Sequence, residues 1–200
     1  MKKIDNWNEI EAKGMDDFKT LPIGAYECKI VNAVENHNEQ SGKTTLKVMV
    51  DIASGEYKDY FKKRYDNNTA IDRKWDNNAT KFLAFEGENT SFFKGFITIV
   101  ENSNVGYKWN WDETTLRDKK IVGVFQYEQY EKQDGTKGIK VRLNKFRSLD
   151  KLKEIEVSDS IKMLDGTYTS YEDYMKKVEE KKPFSDFGDI VEISEEQLPF

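Results

Sequence analysis

The sequence predicts a mainly β, α+β fold, a five-stranded barrel with one helix between its third and fourth strands. Three features lead there: apolar residues recur with a period of two near both ends of the body, turn signals separate those runs, and a stretch between them switches to helical spacing. From Gly24, residues Tyr26, Cys28, Ile30 and Val34 alternate with Glu27, Lys29 and Glu35, as in a half-buried strand. Gln40-Ser41-Gly42-Lys43 reads as a turn. Leu46, Val48, Val50 and Ile52 then alternate with Thr45, Lys47, Met49 and Asp51, completing an antiparallel hairpin. After Ser54-Gly55, the aromatic segment Tyr57, Tyr60, Phe61 and Tyr65 is read as the third strand.

A short helical piece is expected around residues 79–85, broken at Gly87. The main helix follows, with Thr90 as its cap and Phe92, Phe93, Phe96, Ile97, Ile99 and Val100 spaced for one face. Gly95 costs that helix about 1 kcal/mol of propensity. Two last strands, 120–131 and 138–148, flank Asp134-Gly135, a strong hairpin-turn signal. Beyond Asp150, Ser170 and Asp173 form a capping box for a helix presenting Tyr171, Tyr174, Met175 and Val178, which Pro183 ends. The chain therefore divides into an N-terminal arm (1–20), a barrel domain (21–150), a helical acidic extension (151–182) and an acidic tail (183–200) too polar to fold independently. The arm's sparse apolar residues Ile4, Trp7, Ile10, Met15 and Phe18 suit a short amphipathic helix or a docking segment.

The net charge of −5 conceals an asymmetry. Residues 1–150 carry 25 Lys+Arg against 24 Asp+Glu, whereas 151–200 carry 7 against 13. A near-neutral body leaves room for a basic groove, so the acidic total does not argue against a nucleic-acid partner. No apolar run has the length of a membrane span, and the start Met1-Lys2-Lys3-Ile4-Asp5 has no apolar signal region behind it. The single cysteine, Cys28, suits a reducing compartment, and a cytoplasmic location is expected.

Several kinds of chemistry are disfavoured. Ser41-Gly42-Lys43-Thr44-Thr45 tempts a phosphate-loop reading, but His37 stands where the motif needs its first glycine, and the segment joins two strands instead of opening a helix. His37 is the only histidine and Cys28 falls on the apolar side of a strand, so neither suggests a nucleophile or base. Asp16-Asp17 and Glu179-Glu180 read as solvated charge, and no spacing suggests a metal site. The expectation is a binding protein without enzyme activity, metal or cofactor.

What remains is a surface for single-stranded nucleic acid, which calls for cations along the backbone and flat faces for bases, each stacked base worth about 1–3 kcal/mol. In Ile139-Lys140-Val141-Arg142-Leu143, period two puts Lys140 and Arg142 on one face while the apolar residues fill the barrel. Lys62-Lys63-Arg64 lies among Tyr60, Phe61 and Tyr65, and Lys29 and Lys47 point away from the apolar sides of their strands. Trp75, in a polar stretch, is the better exposed stacking candidate. Tyr107, Trp109 and Trp111 alternate as either a stacking shelf or a packed strand edge. A Lys-guarded edge strand is the bland reading of the cation run.

The strand order resembles the oligonucleotide/oligosaccharide-binding fold, a partly open five-stranded barrel. The ending Glu195-Glu196-Gln197-Leu198-Pro199-Phe200 resembles the acidic tip of bacterial and phage single-stranded DNA-binding proteins, with Gln197 interrupting the acids and Leu198 in place of the usual Ile. The body also resembles an uncharacterised group of phage replication-module proteins from Gram-positive hosts. The resembling stretches are Leu21-Pro22-Ile23-Gly24-Ala25-Tyr26, Asp51-Ile52-Ala53-Ser54-Gly55-Glu56-Tyr57, Phe93-Lys94-Gly95-Phe96 and Glu101-Asn102-Ser103-Asn104. These resemblances imply a protein that coats unpaired DNA without sequence preference in replication or recombination. Its tip, through Glu195, Glu196, Leu198, Pro199 and Phe200, would recruit partner enzymes. A homodimer would lengthen the short binding track of one barrel. The rival expectation is an interaction or inhibitor protein, such as a DNA mimic, without DNA affinity.

Overall fold

The structure, a computed structural model, describes residues 20–39 and 42–180. The arm up to residue 19, Gln40-Ser41, Pro183 and the tail with its tip Glu195, Glu196, Leu198, Pro199 and Phe200 lie outside the described residues. The described part is mainly β sheet with a few helices. Its elements are β1 (Gly24–Asn38), β2 (Lys43–Ile52), α1 (Tyr60–Asp66), β3 (Thr80–Ala84), α2 (Thr90–Ser103), β4 (Lys120–Glu131), β5 (Lys137–Arg147), β6 (Ile161–Lys162), β7 (Tyr168–Thr169) and α3 (Tyr171–Glu180).

β1 and β2 form the expected hairpin, and the register places Cys28, Ile30, Leu46, Val48, Val50 and Ile52 in the core. A bulge between Ile30 and Asn32 shifts the phase of β1. Ala33 therefore turns inward, and Val34, expected inside, is exposed. β4 pairs along its first half with β1 and along its length with β5. A second bulge, at Asn144, pairs Leu143 with Phe125 and Lys145 with Val124, so Leu143 and Phe146 both reach the core three residues apart.

The third strand is not where the sequence suggested. Tyr57, Tyr60, Phe61 and Tyr65 do not lie on a strand: residues 60–66 form α1, and their 3–4 spacing already describes one helical face. Asp59 at φ 58° turns the chain, and the buried Asp51 carboxylate accepts from the backbone N–H groups of Ile52 (2.9 Å), Phe61 (3.0 Å) and Lys62 (3.3 Å). Phe61 then stacks on Phe125, with centroids 5.7 Å apart. The third strand is β3, in the region expected to be helical, and it pairs with β2 through Leu46–Leu83, Lys47–Phe82 and Val48–Lys81. Cross-strand pairing overrides the local signal there, because five residues give period two little length in which to show.

α2 lies between β3 and β4 and buries Phe93, Phe96, Ile97 and Val100. Phe92, expected on that face, is exposed instead. Asn89 occupies the cap position, and the Thr90 hydroxyl donates back to the Gly87 carbonyl at 2.7 Å.

The five main strands run in the order β3-β2-β1-β4-β5. β3 and the Asn77–Ala79 turn lie against β5, but no ladder joins β3 to β5 among the described residues, so the sheet does not close into a barrel. Two short strands add to the expected five. β6 pairs parallel with β4 at Tyr127 and Glu128, beyond the segment that β1 covers, and β7 pairs with β6. The extension expected to be helical is thus partly tied into the sheet. α3 follows, with the Ser170 hydroxyl accepting from the Asp173 backbone N–H at 3.1 Å and Tyr171 packed on Tyr127. Among the described residues no helix is long and apolar enough to cross a membrane.

Candidate nucleic-acid interface

On the hairpin side of the bulge, Gln126, Glu128 and Tyr130 of β4 share one face with Lys140 and Arg142 of β5, and three cross-strand contacts run along it. Lys140 Nζ stands 5.2 Å from the Tyr130 ring centroid, Arg142 Nη1 pairs with Glu128 Oε1 at 2.8 Å, and Asn144 donates to Gln126. Lys140 and Arg142 therefore lie together, but in different states: Arg142 is engaged by a carboxylate, while Lys140, among the described residues, only covers an aromatic face.

The other face of β2 and β3, opposite buried Leu46 and Val48, carries Lys47 and Phe82 as a directly paired couple. Lys47 Nζ lies 5.9 Å from the Phe82 centroid, and Phe82 is 45% exposed. Lys81 pairs with buried Val48 and so stands on the inward side of β3. Burial lowers its pKa, and the charges of Lys162 on β6 and Arg142 on β5 lower it further, against the opposing pull of Glu128.

The remaining residues singled out from sequence divide clearly. Lys29 is paired with Asp59 at 3.4 Å, and Lys62 with Asp66 one helical turn on. Arg64 contacts Asp76 at 3.4 Å and lies over the Tyr60 ring, while Lys63 Nζ donates to the Lys58 carbonyl. These cations decorate α1 and its surroundings, not an edge strand. Tyr65 is half-buried, tilted against Trp75, with Arg73 4.8 Å over its ring. Trp75 is not the exposed platform expected of it. Its Nε1 donates to the Val50 carbonyl at 3.1 Å, and its ring packs on the core.

Tyr107, Trp109 and Trp111 belong to an irregular segment, neither shelf strand nor sheet edge. Trp109 is half-buried beside Phe93, whereas Trp111 is 82% exposed. Sequence reasoning missed Phe82, Lys81, Tyr130, Lys162 and Arg73. Alternation in Lys81-Phe82-Leu83 was the available signal for the first two; the others become neighbours only through pairing of distant segments.

The arrangement offers cation–aromatic pairs. Among the described residues no group of His, Cys, Asp or Glu is placed to hold a metal ion. Cys28 is buried, and burial pushes its thiol up to about 12.

Fold and surface together define a mainly β-sheet protein with a cation–aromatic face. Residues 7–90 match the model of a family described as a protein of unknown function (DUF669). The match takes in β1, β2, α1 and β3, and with them Lys47 and Phe82, and stops at the first residue of α2. A comparison with curated proteins finds no match.

Proposed function

We propose that this protein binds single-stranded DNA without sequence preference, along a track from the Lys47–Phe82 face of β2–β3 to the Lys140–Tyr130 face of β4–β5. It acts in phage replication or recombination as a binding protein, not an enzyme, and its acidic C-terminal tip recruits partner proteins. The observation that carries the reading is the pairing of aromatic rings, Phe82 exposed and Tyr130 half-buried, with cations that no carboxylate engages among the described residues, Lys47 with Phe82 and Lys140 with Tyr130. Such couples serve both phosphate and base. The order β3-β2-β1-β4-β5, with α2 between β3 and β4, supports an oligonucleotide/oligosaccharide-binding-like body, in which the β2–β3 side is a usual binding face.

Fluorescence anisotropy with labelled oligo-dT and oligo-dA, at several salt concentrations, tests the reading. Comparable affinity for both, falling with salt, is expected. Absence of binding at low salt would leave the protein-interaction rival in its place.

A further inference from the structure

On the inward side of the same sheet, opposite Lys47 and Phe82, lies a second concavity of different character. It has a volume of about 100 Å³ and is lined by Glu35, Leu46, Phe85, Phe93, Trp109, Trp111 and Glu113. Glu35 follows exposed Val34 on β1 and pairs across the strands with Leu46, which places it on the inward side after the bulge. The walls are aromatic and both charged groups are acidic. Neither glutamate has a hydrogen-bond or ion-pair partner among the described residues.

Two further observations point to a ligand. The Trp109 indole Nε1 is buried and has no acceptor, alone in this respect among the described side chains. A buried donor is normally satisfied, so a small displacement of this aromatic wall would let the indole take an acceptor. Trp111, beside it at 6.2 Å, exposes most of its ring and holds a left-handed backbone with φ 65°, a costly conformation for a bulky residue.

We infer that this pocket receives an arginine side chain from a basic segment of a protein partner. A planar guanidinium lies flat on an indole face and offers N–H groups to two carboxylates at once. A nucleic-acid strand is the wrong occupant, because its phosphates would meet Glu35 and Glu113 with like charge. The pocket is therefore distinct in both position and charge from the DNA-binding track.

The test uses the full chain and an N-acetylated, C-amidated Gly-Arg-Gly peptide, followed through the tryptophan indole signals in ¹H–¹⁵N NMR spectra. Trp109→Phe and Trp111→Phe assign the two signals. Saturable shifts of both at millimolar peptide, with the Trp75 signal unmoved, are expected. The same peptide with citrulline in place of arginine should bind about tenfold more weakly or worse, as should the arginine peptide to Glu35→Gln/Glu113→Gln. These surface replacements keep the size of each side chain and should leave the melting curve unchanged. Equal binding of the citrulline peptide, full affinity in the double variant, or no saturable shift would overturn the inference. Displacement of the peptide by oligo-dT would overturn the separateness of the two sites, whereas absence of DNA binding with peptide binding intact would count against the DNA track alone.

Discussion

Removing a buried carboxylate that satisfies three backbone donors leaves those donors stranded, and Asp51 is so placed. It joins the end of β2 to the start of α1, so Asp51→Ala should lower stability by about 1–3 kcal/mol per orphaned buried N–H, read as a lower urea midpoint. Burial nonetheless raises its pKa, against the lowering by those same N–H groups. A folded value above the unfolded one means Asp51 favours folding most when protonated, and that contribution is lost as pH rises through the folded value. Glu27 behaves oppositely. Hydrogen bonds from Lys120 and Ser54 lower its pKa, so its contribution is present above the ordinary glutamate range and lost as pH falls through the depressed value. Glu27→Gln should accordingly cost little, below about 1 kcal/mol because Lys120 is half in solvent, and the gap to the parent should close on acidification. Gly123 is a packing constraint: a Cβ there would lie 2.9 Å from Cys28 Sγ and 3.2 Å from Leu143 Cδ1. Gly123→Ala should therefore destabilise by about 1–3 kcal/mol in thermal melts, and native Cys28 should resist iodoacetamide until urea is added.

At the scale of elements, the hairpins were legible from their period and turns, and α1 and β3 were exchanged. The aromatic residues of α1 carry high strand propensity, but their spacing is helical and Asp51 supplies the donors' partner, so spacing prevailed. β3 is a strand because β2 offers it a pairing edge, a fact located thirty-odd residues upstream. The strand assignment has a direct consequence for binding, since it puts Phe82 opposite Lys47. Phe82→Ala should cost about 1–3 kcal/mol of affinity for oligo-dT with the salt slope unchanged. Lys47→Ala and Lys140→Ala should each flatten the slope of log K against log salt by about 0.7. Arg142→Ala should flatten it less, because Glu128 already engages that guanidinium. Equal slopes for Lys140→Ala and the parent would remove β5 from the track.

For the whole molecule, the division of charge matters most. Residues 184–200 contain five Asp and Glu and no Lys or Arg, on the same chain as Lys47 and Lys140, which no carboxylate engages among the described residues. Tethering raises the effective concentration of an acidic segment near such a face to about millimolar. Deleting 184–200 should raise oligo-dT affinity modestly, most clearly at low salt. Deleting Phe200 alone should leave DNA affinity unchanged while abolishing recovery of replication proteins from host lysate; recovery of the same proteins without Phe200 would defeat the recruiting role of the tip.

The sequence by itself determined the β-rich class, the first hairpin, α2, the β4–β5 hairpin and the placing of Lys140 beside Arg142, because alternation and helical spacing are local properties of a chain. Tertiary structure alone decided which cations remain available. Arg142 is engaged by Glu128, Arg64 by Asp76 and Lys29 by Asp59, whereas among the described residues Lys47 and Lys140 meet only aromatic rings. It also decided that Trp75 is a bonded core edge and that Trp109 keeps a buried donor without an acceptor. The reason is physical: charge pairing and solvent exposure depend on distances between segments far apart in sequence, and those distances exist only once the strands have chosen their neighbours.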